Sequence, residues 1–489
     1  MINTRIRTHD EYSLEFKIGF LTSNKDKDNN IFKINTWMFL PNGLDVNPFT
    51  YKKEAFYSDI KSNVRLITPR YTLSEILQTD KGPFPRLEKA IKNYLKEPLN
   101  QAHAESYTYQ IKMLICITKS ALRENTFRII RKRSNEKKVL SLIQELASNI
   151  DAINLRFRTI RDEILGNDSF SKELKEYLLF GDEYLGIITE NTIYHLLEAF
   201  RGKDLFAEIK LILEKPIQEE HRNRQEMAYD IPSEQDEKSN SLSLIKRSLL
   251  KKFIESDLYL QRIKKTDGAF AREFYYSIAA GVAMIFATVI SFLATQRLGN
   301  FTSSLFLVLV ISYMLKDRIK DFARYYFSSK LDRKYFDWKW DVSIRNRKIG
   351  VIKEAFDFIP AGKVPEEILK LRNKTPLVKA ENEIYDEKVI LYRKRVSLSQ
   401  KELEEYKEYH LLGINNIIRM NLMSFTKQMD NPFLPIYLPD KENGYKNIMA
   451  QRVYALYFVL ECESEGEKYY KTYRVLFNRN GISEIKEIR

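Results

Sequence analysis

The residues able to do chemistry are few and scattered along the chain. Five histidines stand apart, at His9, His103, His195, His221 and His410. The tightest group of usable side chains is Glu190, His195 and Glu198, the last two sharing a helix face at i, i+3. A di-iron bundle uses two Glu-x-x-His segments with further carboxylates. Here the order is reversed and occurs once, so a surface ion pair accounts for it. Glu219, Glu220 and His221 fall in a polar stretch where solvation is expected. Cys116 and Cys462 are too few for a zinc cluster or a disulfide framework and fit a reducing cytosol. No phosphate-binding glycine loop, nucleophile elbow or HExxH helix occurs. The expectation is therefore no catalytic residue, no metal and no cofactor. An enzyme would need a site assembled from distant residues.

The charge pattern carries more information than the motifs. The net charge of +14 is concentrated. Residues 112–138 hold 9 Lys or Arg against 2 Glu, including RIIRKR. They lack the interleaved aromatics of a stacking platform, so nucleic acid is not the expected partner. Two further basic clusters, 246–272 and 316–353, flank the most apolar part of the chain.

That part sets the expected architecture. Phe274 to Gln296 has no formal charge over 23 residues, more than the ~20 needed to cross a ~30 Å hydrocarbon layer. Leu298 to Leu315 is a second charge-free run of 18 residues, opening with polar Gly299, Asn300 and Thr302. At ~1.5 Å per residue it covers ~27 Å, so Lys316 must snorkel. The two runs predict a transmembrane helical hairpin. Basic residues stay cytoplasmic, which puts both termini on that side. The predicted interface residues are Lys264, Lys265, Arg272, Lys316, Arg318, Lys320 and Arg324, with Trp338 and Trp340 in the headgroup layer. Ala279, Ala283, Ala287 and Ser291 recur at i+4 and would let a helix backbone approach closely. That helix is the second span, a second copy, or both. Neither predicted span holds an ionisable residue, which argues against an ion pathway in one chain. The start, MINTRIRTHDEY, lacks the apolar core of a signal peptide, so the spans are expected to direct targeting.

The remainder reads as an α+β protein with antiparallel β segments near both termini and a helical cytoplasmic region. Residues 1–80 hold a β-hairpin, from alternation over Tyr12–Phe20 and Phe32–Leu40 about the polar loop 24–30. Residues 85–215 are helical, with breaks at Gly181 and Gly202. Residues 216–243 read as a polar linker. Residues 244–272 form an amphipathic juxtamembrane helix through Ile245, Leu249, Phe253 and Leu260. The spans are 274–296 and 298–315. Residues 316–385 are a basic, aromatic helical region, with Ile349–Arg372 as helix and turn. Residues 386–489 are an antiparallel β domain of about five strands in a meander.

The expected function is a membrane-anchored, cytoplasm-facing binding or scaffold protein without catalysis. The alternative is an oligomerising membrane effector, pore-forming or signalling, controlled by its cytoplasmic domains. The expected partners are anionic lipid headgroups, a second copy of the chain, and an unidentified cytoplasmic protein.

Overall fold

The computed structural model describes residues 2–22, 29–78, 80, 82–298, 302–344, 347–372, 376, 387–404 and 409–488. The predicted loop 24–30, the turn between the two apolar runs and the charged segment after Glu402 lie wholly or partly outside them. The chain divides into two compact units: Met1–Val64 with Leu260–Tyr406 and Gly413–Arg489, and Arg65–Tyr259 with Lys407–Leu412. The fold is mixed α+β, with twelve α-helices and antiparallel sheets among the described residues.

The first unit is built on two sheets. Strands β1 (Ile2–Thr8), β2 (Ser13–Leu21), β3 (Asn29–Leu40) and β4 (Ile60–Leu66) precede β5 (Gln261–Thr266), with helix α1 (Lys53–Asp59) after β3. Then come β6 (Trp338–Ile344), β7 (Arg347–Ile359), β8 (Lys388–Ser399), β9 (Gly413–Asn421), β10 (Phe433–Asp440), β11 (Gly444–Gln451), β12 (Tyr454–Ser464), β13 (Glu467–Asn478) and β14 (Gly481–Glu487). One sheet has the order β1-β2-β9-β4, and the larger has β14-β13-β12-β3-β8-β7-β6-β5. They pack face to face through Phe16 against Phe458 and Phe20 against Phe32.

Several sequence expectations change here. The alternating segments at 12–20 and 32–40 are strands, but they do not form a hairpin. β2 pairs with β1 and β9 in one sheet, while β3 lies between β12 and β8 in the other. Alternation reports which face a strand buries, not which strand it joins. Within 386–489, β12, β13 and β14 form a meander, whereas β9 belongs to the other sheet and β8 continues a second run of sequential neighbours, β5-β6-β7-β8. Residues 347–359 are strand rather than helix and turn. Their charged members hid the pattern, since buried Glu354 is matched by buried Lys394 on β8 at 2.8 Å. β10 and β11 pair only with each other among the described residues, forming an arm with apolar side chains exposed on both faces.

The second unit is helical. It comprises α2 (Leu73–Gln78), α3 (Pro83–Lys96), α4 (Gln101–Arg131), α5 (Glu136–Leu165), α6 (Lys172–Phe200), α7 (Phe206–Glu226) and α8 (Glu237–Glu255). Thr72 and Glu75 form a capping box at α2, and Asn135, Ser171 and Asp236 cap α5, α6 and α8. Gly181 does not break α6. A Cβ there would lie 2.9 Å from Ile111 and 3.0 Å from Ile115, so the glycine lets α4 approach closely. Gly181→Val should therefore lower stability by about 1–3 kcal/mol through overpacking; far-UV circular dichroism on denaturation would measure it.

The expected linker does not describe residues 216–226, which continue α7 with Glu220, Asn223 and Arg224 buried. The predicted helix 244–272 ends at Glu255, and residues 261–266 form β5. Of its stripe, Ile245 and Leu249 point outward, Phe253 is half-buried and Leu260 is buried, as are Leu250 and Ile254 beside them.

Candidate functional site

The feature that stands out from the first unit is a long helical hairpin inserted between the edge strand β5 and its neighbour β6. Helix α9 (Ala269–Leu298) leaves the end of β5, and α10 (Ser303–Lys334) returns to the start of β6. β5 and β6 pair directly, with Thr266 opposite Trp338. The hairpin is therefore held at both feet by one sheet.

The feet are stiff for identifiable reasons. Gly268 has φ of +68°, and a Cβ there would lie 2.5 Å from the Tyr335 ring. Buried Asp267 accepts from the Phe336 N–H at 3.2 Å and pairs with Lys353 at 2.9 Å. Asp337 accepts from Lys53 Nζ at 2.6 Å, Tyr57 Oη at 2.9 Å and the Phe356 N–H at 2.8 Å.

Within the hairpin, small residues are turned inward. Ala279 and Ala283 are buried, Ala287 and Ser291 half-buried, and Ser312 of α10 is buried as well. The large apolar side chains face out: Val282, Met284, Ile285, Phe292, Phe306 and Met314 are each more than half exposed. Helix α9 is long and apolar enough to cross a membrane by length and composition, and among the described residues it alone meets that test. α10 falls short because it starts at Ser303. Only 13 residues precede Lys316, a rise of about 20 Å.

Two contacts set the register of the helices. Tyr275 stacks near Phe327 at 5.2 Å, and Arg324 lies over Tyr276 at 5.6 Å. Counting back from them puts Lys316 beside the residues around Ile285, the middle of α9's apolar run. Lys316, Asp317, Arg318, Lys320, Asp321 and Arg324 thus run alongside apolar α9 instead of lying beyond it. Lys316 sits over Tyr313 at 3.7 Å, and Lys316 and Lys320 approach Asp317 at 3.8 and 3.9 Å. The same register brings Phe274, Tyr275 and Tyr276 level with Tyr325, Tyr326 and Phe327. Counting charges along the sequence hid this placement, which only the antiparallel partner fixes.

Four of the other predicted interface residues lie in the sheet. Lys264 and Lys265 belong to β5, where Lys264 covers Trp338 at 3.5 Å and Lys265 pairs with Asp341 at 2.8 Å. Trp338 and Trp340 are half-buried in β6, and Trp340 Nε1 donates to Glu354 at 3.3 Å. Arg272 lies in the first turn of α9. Asp341 also pairs with Lys348 at 2.7 Å. Hydrogen bonds from Lys265 and Lys348 hold its carboxyl at about 2, below the ordinary 3.8. The unfolded chain takes the proton first, so this contribution is present above about pH 4 and lost as pH falls through about 2. Asp341→Asn should flatten the acid limb of a stability–pH curve over that window, as read by tryptophan fluorescence.

The helical unit holds a second arrangement of polar groups. Asp182 is fully buried and accepts from Arg161 at 2.7 Å, Tyr229 at 3.1 Å and Asn223 at 3.2 Å. Glu220 accepts from Arg158 at 2.7 and 2.8 Å and from Asn154 at 2.7 Å. Burial raises the Glu220 carboxyl, and Arg158 works against that rise. Glu190 pairs with buried Arg224 at 2.8 Å, whereas His195 and Glu198 are exposed. The three side chains singled out by spacing are therefore not brought together. Lys112 and Lys119, from the basic cluster, pair with Asp257 at 3.1 Å and Glu255 at 2.6 Å.

The chain matches no family model, no curated protein and no solved structure. Function rests on its own geometry. Among the described residues, no group of three His, Cys, Asp or Glu side chains could hold a metal ion. A polar cleft of about 490 Å³ lies in the helical unit, lined by Arg70, Tyr71, Glu75, Glu124, Arg128 and Glu145 among others.

Proposed function

We propose that this chain is a two-span membrane protein whose soluble units lie on one side of the bilayer and bind or scaffold a partner there. The observation that carries the reading is the hairpin itself, with small residues inward and large apolar residues outward. Lipid is the medium that suits such an outer surface. The aromatic ring at its foot and the polar Gln296 and Arg297 at its tip are about 22 residues apart along α9, or about 33 Å. That matches a ~30 Å hydrocarbon layer between two interfaces.

Both feet enter one sheet, so both soluble parts share a side. The basic flanks favour the cytoplasm. Two features support binding over catalysis: the exposed β10–β11 arm, and the mixed-charge cleft lined by Arg70 and Glu145. The effector reading loses its first argument, because Ala279 and Ala283 are already buried within the single chain.

The test is extraction. The chain expressed in cells should remain with membranes through alkaline carbonate and leave them only in detergent. Release by gentle lysis or carbonate would overturn the anchor.

A further inference from the structure

The charged half of α10 is not explained by anchoring. We propose that copies of this chain assemble in the bilayer around that half, enclosing a water-filled path that conducts anions. The inference rests on the two-span reading and goes beyond it.

The argument starts from register. The contacts of Tyr275 with Phe327 and Tyr276 with Arg324 put Lys316 through Asp321 between the aromatic ring and the apolar tip. Ionisable side chains at that depth do not face lipid; they face a protein interior or a water-filled cavity. α9 brings no charge to answer them there, since the side it turns to α10 carries Ala279, Ala283, Ala287 and Ser291 with half-buried Phe286 and Ile290, and Tyr276 at its foot lies under Arg324.

Helical spacing sorts the charges. Lys316, Lys320 and Arg324 follow i, i+4, and Asp317 and Asp321 follow the adjoining stripe. Leu315, Ile319, Phe322 and Tyr326 occupy a different face. Lys316 and Lys320 are half-buried, while Asp321, Arg318 and Arg324 are exposed in the single chain.

A second copy is the occupant that fits. The stripes are mutually complementary, so the aspartates of one copy can meet the basic residues of the next. Four basic residues stand against two acidic ones in this segment. The surplus leaves a positive lining, which favours anions. An α10 that is charged on one face and apolar on another suits a helix with water on one side and lipid on the other.

The experiment uses the full chain in sealed vesicles of phosphatidylcholine and phosphatidylglycerol loaded with a halide-quenched dye. Carbonate resistance of the same vesicles confirms insertion. Chloride should enter well above the rate of empty vesicles. Lys320→Glu with Arg324→Glu should slow chloride entry several-fold, and Asp317→Lys should speed it. An inserted chain that passes no halide overturns the inference while leaving the anchor standing. Flux indifferent to both charge changes overturns it as well. A chain that does not insert overturns the anchor and the conducting path together.

Discussion

Lys394→Met should destabilise the first unit by about 3–5 kcal/mol, the range for breaking a buried ion pair by removing one partner. Lys394 is 1 % exposed and Glu354 5 % exposed at the side chain, and their charged atoms lie 2.8 Å apart. Burial pushes the lysine ammonium below its usual range, with Glu354 working against that push. Methionine fills a similar volume beside the small cavity of about 20 Å³ that Lys394 helps to line with Tyr392, Phe16 and Ile418. The loss therefore comes from the stranded carboxylate rather than from packing. Lys394→Met with Glu354→Gln should recover much of it, since a neutral amide is far less costly to bury than an unpaired charge. Tryptophan fluorescence during denaturation isolates the effect. Trp37, Trp338 and Trp340 all belong to the first unit.

A loss of similar size is expected from Asp182→Ala in the helical unit. The substitution leaves Arg161 with exposed, solvent-screened Asp162 as its remaining acidic partner, at 2.8 Å. It also leaves Tyr229 and Asn223 without a shared acceptor. About 3–5 kcal/mol is again the range for an uncompensated buried charge. Asp182→Asn keeps an acceptor and should lose less. Far-UV circular dichroism reports this unit, whose regular structure is almost wholly helical. If Asp182→Ala unfolded at the wild-type midpoint, the network would be peripheral to stability.

The sequence made the apolar hairpin, most helices and the strands β2, β3, β8, β9, β12, β13 and β14 legible, because these rest on local periodicity, whereas β5 and β6 lie in stretches that read as helical. The start of α5 follows from the Asn135 cap, and the turn at Glu465 and Gly466, two residues of positive φ, follows from turn chemistry. What was not legible depended on partners distant in sequence. Glu220, Asn223 and Arg224 look like linker residues until Asn154, Arg158 and Glu190 are placed beside them. Gly181 looks like a break until Ile111 and Ile115 are placed against it. Residues 347–359 look irregular until Lys394 neutralises Glu354. The β10–β11 arm gave little signal, since Pro435 and Pro439 argue against a strand. Both are tolerated because β10 is an edge with no second neighbour among the described residues.

At the candidate site, the sequence named residues but not their surroundings. Lys264, Lys265, Trp338 and Trp340, expected at lipid headgroups, each make a protein contact in the sheet. The expectation treated Lys316 as the end of an apolar helix, whereas α10 carries its charges on beside apolar α9.

The central claim is that the hairpin crosses the bilayer, and labelling its tip tests that most directly. In Arg297→Cys, the new thiol lies in the exposed last turn of α9. Cys116 and Cys462 are buried, and burial raises their thiols to about 12 and about 11, so neither competes for reagent. An impermeant maleimide is applied to sealed vesicles of known sidedness carrying a C-terminal tag. Two spans predict labelling only from the face opposite the tag. Labelling from the tagged face, or from neither face until detergent opens the bilayer, would contradict the crossing.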